Sequence, residues 1–185
     1  MFPSAEKTMN TTSDIPSNEL DKIFEGALPQ TGELAITPEE ATQYRLQLVQ
    51  YRKMLAQNSD RTRLHTLIVE DQAFSRNLLY QVLNHTCSVS TAANAIDGWK
   101  IYVEEVPDIA FLDINMPGAN GHVLADRIKF LDPISYVVMV TASQEVADVQ
   151  VAKNNRVDGF IIKPFSKQKI DDCINRYLAT HKKRR

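Results

Sequence analysis

Several side chains that could do chemistry follow short apolar runs in this sequence. Glu70 and Asp71 come directly after the run "LHTLIV", and Asp113 follows the run "IAFL". Thr141 and Lys163 end two later runs in the same way. Where such runs are strands of one parallel sheet, their carboxyl ends meet at a single edge, which is where these sheets hold their sites. The sequence therefore predicts that three carboxylates, a hydroxyl and an ammonium group converge.

The three carboxylates indicate a metal site. Acids crowded into a small cleft repel one another at neutral pH, and a cation relieves that repulsion. A ligand set made only of oxygen, without His or Cys, suits Mg²⁺. We therefore predict Mg²⁺ as the cofactor at this edge.

The elements that must position these residues lie in a domain predicted at residues 61–181. Its strands are apolar on both sides and alternate with helices, which is typical of a parallel sheet covered on each face. We therefore predict an α/β, doubly wound domain with a five-stranded parallel sheet and helices on both faces. The predicted strands are 64–69, 89–91, 109–112, 135–140 and 159–162, and the predicted helices are 73–84, 96–104, 121–130, 145–153 and 166–178.

The first 60 residues differ from this domain in pattern. Residues 1–37 are rich in Ser, Thr, Asn, Pro and Glu, a composition that does not offset the entropy of ordering, so a mostly flexible segment with a possible short helix is predicted. Residues 38–60 are predicted to form a helical extension, because Pro38 suits a first helical turn and no Gly or Pro follows up to Gln57.

Apolar and aromatic residues in this extension repeat at alternating steps of three and four. Such a stripe must pack on something, because a helix this short is not stable alone. It could pack on its own domain or on a second copy, and the unbroken spacing favours a homodimer through residues 38–57. The stripe consists of Tyr44, Leu48, Tyr51 and Leu55.

Composition narrows the class of protein. The 185 residues are 43% hydrophobic and 24% charged, as in a soluble globular chain. No apolar run is long enough to cross a bilayer, and the opening residues lack the apolar core of a signal peptide, so a cytoplasmic protein with no membrane partner is predicted. The basic tail at residues 182–185 is too short to read a nucleic acid, so we do not expect nucleic acid as a partner.

Four fragments, in their order and spacing, resemble the receiver domain of bacterial two-component response regulators. They are "LIVEDQ", "FLDINMPGANG", "VMVTAS" and "GFIIKPF". The resemblance implies a flavodoxin-like fold. It also implies that Asp113 is a phosphoacceptor, with Mg²⁺ held by Asp71, Asp113 and the backbone carbonyl of Asn115, and by Glu70 directly or through water.

The same resemblance implies roles for residues of the last two strands. Lys163 would pair with the phosphoryl oxygens, and Thr141 would donate its hydroxyl to one of them. Phe160 occupies the position of the family's aromatic switch. The bond between Lys163 and Pro164 is predicted to be cis, which proline permits at small cost.

The resemblance further implies a stand-alone response regulator, not an enzyme, with at most autophosphatase activity. Its partners would be a sensor histidine kinase or phosphotransfer protein and an unknown downstream protein. A phosphorelay shuttle or a phosphate sink is an alternative. A haloacid-dehalogenase-like phosphatase also uses an aspartate nucleophile and Mg²⁺, but it has Asp-x-Asp, and here Asn115 stands where the second acid would protonate the leaving group.

Overall fold

A computed structural model describes the chain at residues 42, 45, 46, 48–50, 52, 63–117, 120–142 and 157–181. All of these residues belong to the compact unit Thr37–Arg185, and the other unit, Met1–Ile36, lies outside the described residues. Several predictions also concern residues outside this description: the flexible segment, Tyr44, Tyr51 and Leu55 of the stripe, the helix at 145–153, and the basic tail.

The described strands and helices alternate along the chain as far as residue 141, as the sequence predicts. The first helix, α1, is described at residues 42, 45, 46, 48–50 and 52, all of which are helical. The elements that follow are β1 (Leu64–Val69), α2 (Ala73–Leu83), β2 (Cys87–Ala92), α3 (Ala95–Glu105), β3 (Ile109–Asp113), α4 (Gly121–Leu131), β4 (Tyr136–Thr141), β5 (Gly159–Ile162) and α5 (Lys167–His181).

The five strands form one sheet in the order β2-β1-β3-β4-β5, and every neighbouring pair is parallel. This confirms the predicted α/β fold with a five-stranded parallel sheet. The prediction for β2 was too short, because the strand begins at Cys87, which is paired with Leu64, and not at Val89. The polar residues Ser88 and Ser90 obscured its start, and they are tolerated because β2 is an edge strand.

Helices cover both faces of the sheet, as predicted. On one face, α2 and α5 contribute Leu79 and Tyr177 to a core cluster that also contains Ile68 and Phe111. On the other face, α3 approaches so closely that a Cβ on Gly98 would lie 2.6 Å from the side chain of Val69. Ile68 and Val69 point to opposite faces because successive strand residues alternate. Every residue of β3 and β4 is buried, which explains their lack of a polar face.

The helix α1 packs against the end of α4. The guanidinium of Arg45 donates from Nε to the backbone oxygen of Phe130 at 3.1 Å and lies 4.8 Å from the centre of its ring. Arg52 forms an ion pair with Asp132, directly after α4. Leu48, which the sequence places on a candidate dimer stripe, is only 8% exposed within the single chain. The described part of α1 is thus held by the chain's own domain.

None of the described helices is long and apolar enough to cross a membrane.

Candidate functional site

The carboxyl ends of β1 and β3 bring three acids together. One carboxylate oxygen from each of Glu70, Asp71 and Asp113 lies within 4.8 Å of the other two. Glu70 and Asp113 are buried, and Asp71 is half-buried. The strands position these groups because β1 and β3 are paired neighbours, with Val69 opposite Leu112. The cluster predicted from the ends of separate apolar runs therefore exists as one site.

Lys163 reaches this cluster from the end of β5. Its Nζ lies 2.5 Å from Glu70 Oε2 and 3.2 Å from Asp113 Oδ1. The Lys163–Pro164 bond is cis, as predicted, and the backbone N–H of Lys163 donates to the oxygen of Thr141 at 2.7 Å. One ammonium group thus offsets part of the negative charge of two buried carboxylates.

Burial raises the pKa of Glu70 above its ordinary value. The hydrogen bond from Lys163 lowers this pKa, and the negative charge of Asp113 raises it again. Burial is the largest of these effects because a carboxylate loses its hydration inside the protein. The charged form of the Glu70 carboxylate is therefore less stable in the folded protein than in water.

The donor set fits a divalent cation. In the described part of the chain, the buried Oδ1 of Asp71 has no hydrogen-bond partner. A buried carboxylate oxygen without a donor is costly, and a cation would satisfy it. Among the residues that the structure describes, this group consists of three carboxylates without His or Cys, which matches the oxygen ligands that Mg²⁺ takes. Glu70, Asp71 and Asp113 are the residues that could hold it.

The remaining predicted residues lie around this cluster. Thr141 ends β4 and is buried, while Asn115 is exposed two residues beyond Asp113. Phe160 is partly exposed on β5, where it is paired with Met139. The structure therefore brings the four ionisable groups together and places these three residues on neighbouring segments.

Two residues of the site received no role from the sequence. A Cβ on Gly121, the first residue of α4, would lie 1.9 Å from the backbone oxygen of Asp113. Arg76 in α2 donates from Nη1 to the backbone oxygens of Glu70 and Asp71, at 2.6 and 3.1 Å. A basic residue near the start of a helix is unfavourable for the helix dipole, and that anomaly is the one sequence signal that points to Arg76.

A second polar cluster lies near the other end of β1. His65 Nε2 is 3.0 Å from both Ser90 Oγ and Glu105 Oε2, and Ser90 donates to the same Glu105 oxygen at 2.5 Å. In a nucleophilic triad the imidazole stands between the hydroxyl and the carboxylate. Here the hydroxyl bonds the carboxylate directly, so the cluster lacks the geometry of a hydrolase site.

Residues 66–175 match the family described as the response regulator receiver domain. The chain is 32% identical to the chemotaxis protein CheY of Halobacterium salinarum, over 61% of this chain and 95% of that protein. It is 34% identical to sporulation initiation phosphotransferase F of Bacillus subtilis, over 60% of this chain and 91% of that protein. It spans only 51% of an uncharacterized response regulatory protein of Vibrio cholerae, at 34% identity.

Solved structures agree with these sequence matches. A CheY-like receiver domain protein of Methanospirillum hungatei superposes with a TM-score of 0.64 at 25% identity, covering 67% of this chain and all of that one. The resemblance carried by the four sequence fragments is thereby confirmed. The chain belongs to the response regulator receiver family.

Proposed function

We propose that this protein is a response regulator that accepts a phosphoryl group on Asp113 in an Mg²⁺-dependent reaction. The observation that carries the proposal is the contact of Lys163 with both Glu70 and Asp113 beside the unsatisfied oxygen of Asp71. The donor would be the phosphohistidine of a sensor histidine kinase or phosphotransfer protein. Phosphorylation would then control binding to a downstream protein.

The covalent role of the protein in this reaction is limited to the attacking oxygen of Asp113. An oxygen of Asp113 attacks phosphorus in line, forming an O–P bond as the N–P bond to the donor imidazole breaks, and the freed imidazole takes up a proton. Asp71, Asp113, the backbone carbonyl of Asn115 and, directly or through water, Glu70 would hold Mg²⁺, which would neutralise charge on the phosphoryl oxygens. The acyl phosphate is the product.

Lys163 must change partners during this step. It contacts Asp113 Oδ1 at 3.2 Å, and an incoming phosphoryl group brings oxygens of higher charge to the same place. Lys163 then pairs with a phosphoryl oxygen and stabilises the charge that develops in the transition state. Thr141 donates its hydroxyl to another oxygen after transfer, and the partly exposed Phe160 ring turns inward behind it.

An apolar ridge beside the site supports docking of the phosphodonor. Phe74 and Leu78 lie four residues apart on α2 and are 81% and 44% exposed. They share one face of a helix that begins just after Asp71. A helix of the donor that packs on this ridge would bring its phosphohistidine to the acids. Exposed aromatic side chains are frequent anchors of such interfaces.

Onward transfer distinguishes the possible signalling roles. A response regulator that acts by binding keeps its phosphoryl group on Asp113 until hydrolysis, with at most autophosphatase activity. A phosphorelay shuttle passes it to a second histidine protein, and a phosphate sink only discharges its kinase. The phosphatase alternative needs a general acid, and the Asn115 side chain does not provide one.

A separate part of the proposal concerns how the helical extension at residues 38–60 packs. Arg45, Leu48 and Arg52 of α1 contact or are buried by the chain's own domain, which favours packing in the same chain. The homodimer through residues 38–57 stays a prediction.

Modification of the whole protein tests the central proposal. With Mg²⁺ present, acetyl phosphate and beryllofluoride should each modify the wild type at Asp113 alone. Intact mass detects the phosphoryl group, and ¹⁹F NMR detects beryllofluoride. Chelation of the metal should abolish both modifications. Asp113→Asn should abolish the signal, whereas Asp126→Asn, at an exposed position of α4, should not. Phosphate retained by Asp113→Asn would refute the assignment. Asp71→Asn should weaken Mg²⁺ binding more than Glu70→Gln does.

A further inference from the structure

The turn that contains Glu70 and Asp71 leads into α2 without a side-chain N-cap. Gln72 is the N-cap of α2, with φ −75° and ψ 113°, and its side chain makes no capping hydrogen bond. The first turn of α2 also contains no acidic residue. Side-chain caps normally hold such turns by satisfying the free backbone N–H groups. Within the turn, Glu70 Oε1 accepts a long hydrogen bond from the Gln72 N–H at 3.3 Å, and the backbone carbonyl oxygens are restrained by a further group.

Arg76 provides that restraint from one turn inside α2. Its Nη1 donates to the Glu70 oxygen at 2.6 Å and to the Asp71 oxygen at 3.1 Å, so one nitrogen ties two consecutive peptide units together. The backbone N–H of Arg76 also donates to the Gln72 oxygen at 2.9 Å. On the strand side, the Glu70 N–H donates to the oxygen of Ala92 at 3.1 Å.

These contacts restrain the direction of the Asp71 side chain. With both carbonyls held, the φ and ψ angles of Asp71 are restrained, and so is the direction of its Cβ. That direction keeps a carboxylate oxygen of Asp71 within 4.8 Å of oxygens of Glu70 and Asp113. A freed turn would let Asp71 rotate toward water, where its carboxylate is better hydrated.

We propose that Arg76 is a positioning residue that fixes the Glu70–Asp71 pair for divalent-cation binding and phosphoryl acceptance at Asp113. The proposal rests on the proposed function. Its mechanism is geometric, since the guanidinium is itself a cation and by charge alone would weaken the binding of a second cation nearby. A neutral substitution of Arg76 should therefore lower the Mg²⁺ affinity if the hydrogen bonds of Arg76 dominate, and raise it if the charge of Arg76 dominates. Partners that orient ligand groups commonly change metal affinity when they are removed.

Three substitutions in the full chain separate these effects. Arg76→Met removes the charge and the hydrogen bonds, Arg76→Gln keeps a neutral donor, and Arg76→Lys keeps the charge with a single donor group. Asn77→Met is the matched control, because Asn77 is the next residue of α2 and is exposed. Circular dichroism at increasing temperature establishes that each variant is folded at the temperature of the binding measurement.

Mg²⁺ affinity by titration calorimetry and beryllofluoride occupancy by ¹⁹F NMR are the readouts. We expect Arg76→Met to lower Mg²⁺ affinity by roughly 10- to 100-fold. The Gln and Lys variants should recover part of the loss, and Asn77→Met should bind as wild type does. Should Arg76→Met not fold, the Gln and Lys variants decide the question by the same readouts.

Two results would overturn the inference. A lower melting temperature with unchanged Mg²⁺ affinity in the folded Arg76 variants would show that Arg76 stabilises the fold but does not position the acids for cation binding. A higher affinity in the Met or Gln variant would mean that its charge dominates. Failure of wild type to bind Mg²⁺ or beryllofluoride would instead refute the proposed function itself, so the two failures are distinguishable.

Discussion

Arg52 of α1 and Asp132, the residue after α4, form an ion pair that joins the N-terminal extension to the domain. Arg52 Nε donates to Asp132 Oδ2 at 2.9 Å, and the Tyr102 hydroxyl donates to the same oxygen at 2.9 Å. Asp132 is 4% exposed and Tyr102 1%. Burial lowers the pKa of Arg52, but the neighbouring Tyr102 and Asp132 outweigh it and raise that pKa overall. The Arg52 guanidinium is therefore positively charged at neutral pH.

Substitution Arg52→Met should destabilise the protein, because it leaves the buried Asp132 carboxylate without its cation. Removing one partner of a buried pair costs about 3–5 kcal/mol, and partial exposure of Arg52 makes a loss of about 2–3 kcal/mol the better expectation. Urea denaturation of the two proteins measures the difference. Gln50→Met, at an exposed position of the same helix, is the control and should be nearly neutral. Equal stability of Arg52→Met and wild type would contradict the network's role.

The oligomeric state tests how the extension packs. With α1 held by its own domain, light scattering of the full chain at micromolar concentration should give the mass of a monomer. A mass of twice that value would support the homodimer through residues 38–57. Leu55→Asp should then restore the monomer if the predicted stripe forms the interface, and a dimer that persists would place the interface elsewhere.

The raised pKa of Glu70 predicts a pH dependence of stability in Mg²⁺-free buffer. A carboxyl group whose pKa is higher in the folded state binds its proton more tightly there, so the free energy of unfolding falls as pH rises from about 4.3, the ordinary glutamate pKa, through the raised value. Glu70→Gln removes this contribution and should flatten the profile measured by urea denaturation. Glu104→Gln, at an exposed position of α3, should leave the profile unchanged. Parallel profiles for Glu70→Gln and wild type would show that the pKa of Glu70 does not cause the pH dependence of stability.

Substitution Gly121→Ala should damage both the fold and the site. The new methyl group would lie 1.9 Å from the Asp113 backbone oxygen, so β3 and α4 would have to separate. We expect a loss of about 1–3 kcal/mol or more, since overpacking against backbone is poorly relieved. Beryllofluoride occupancy should fall in parallel.

A second glycine provides the control for this prediction. Gly159→Ala, at the start of β5 and away from the strand ends that carry the acids, would meet the side chain of Val138 at 3.2 Å and should lower stability without lowering beryllofluoride occupancy in the folded protein. Normal occupancy in Gly121→Ala would show that Asp113 tolerates displacement of its backbone.

The sequence by itself determined the sheet and the charged part of the site. Apolar runs without a polar face that alternate with helices indicate a parallel sheet covered on both faces, and the carboxyl ends of the strands in such a sheet meet at one edge. That rule alone was sufficient to bring Glu70, Asp71, Asp113 and Lys163 together, because each stands at the end of a run. The cis bond before Pro164 followed from the family resemblance, not from a pattern of spacing.

Only the tertiary structure decided the contacts that no local pattern encodes. Arg52 and Asp132 are 80 residues apart in the chain, and neither lies in a motif that identifies the other. Leu48 belongs to a stripe whose spacing favours a second helix but also fits the chain's own surface, and packing determines which one it meets. Arg76 looks like a solvated helix residue until the path of the β1–α2 turn places two carbonyl oxygens beside its guanidinium. Periodicity predicts which face of an element is buried, whereas the partner that covers the face depends on the arrangement of the whole chain.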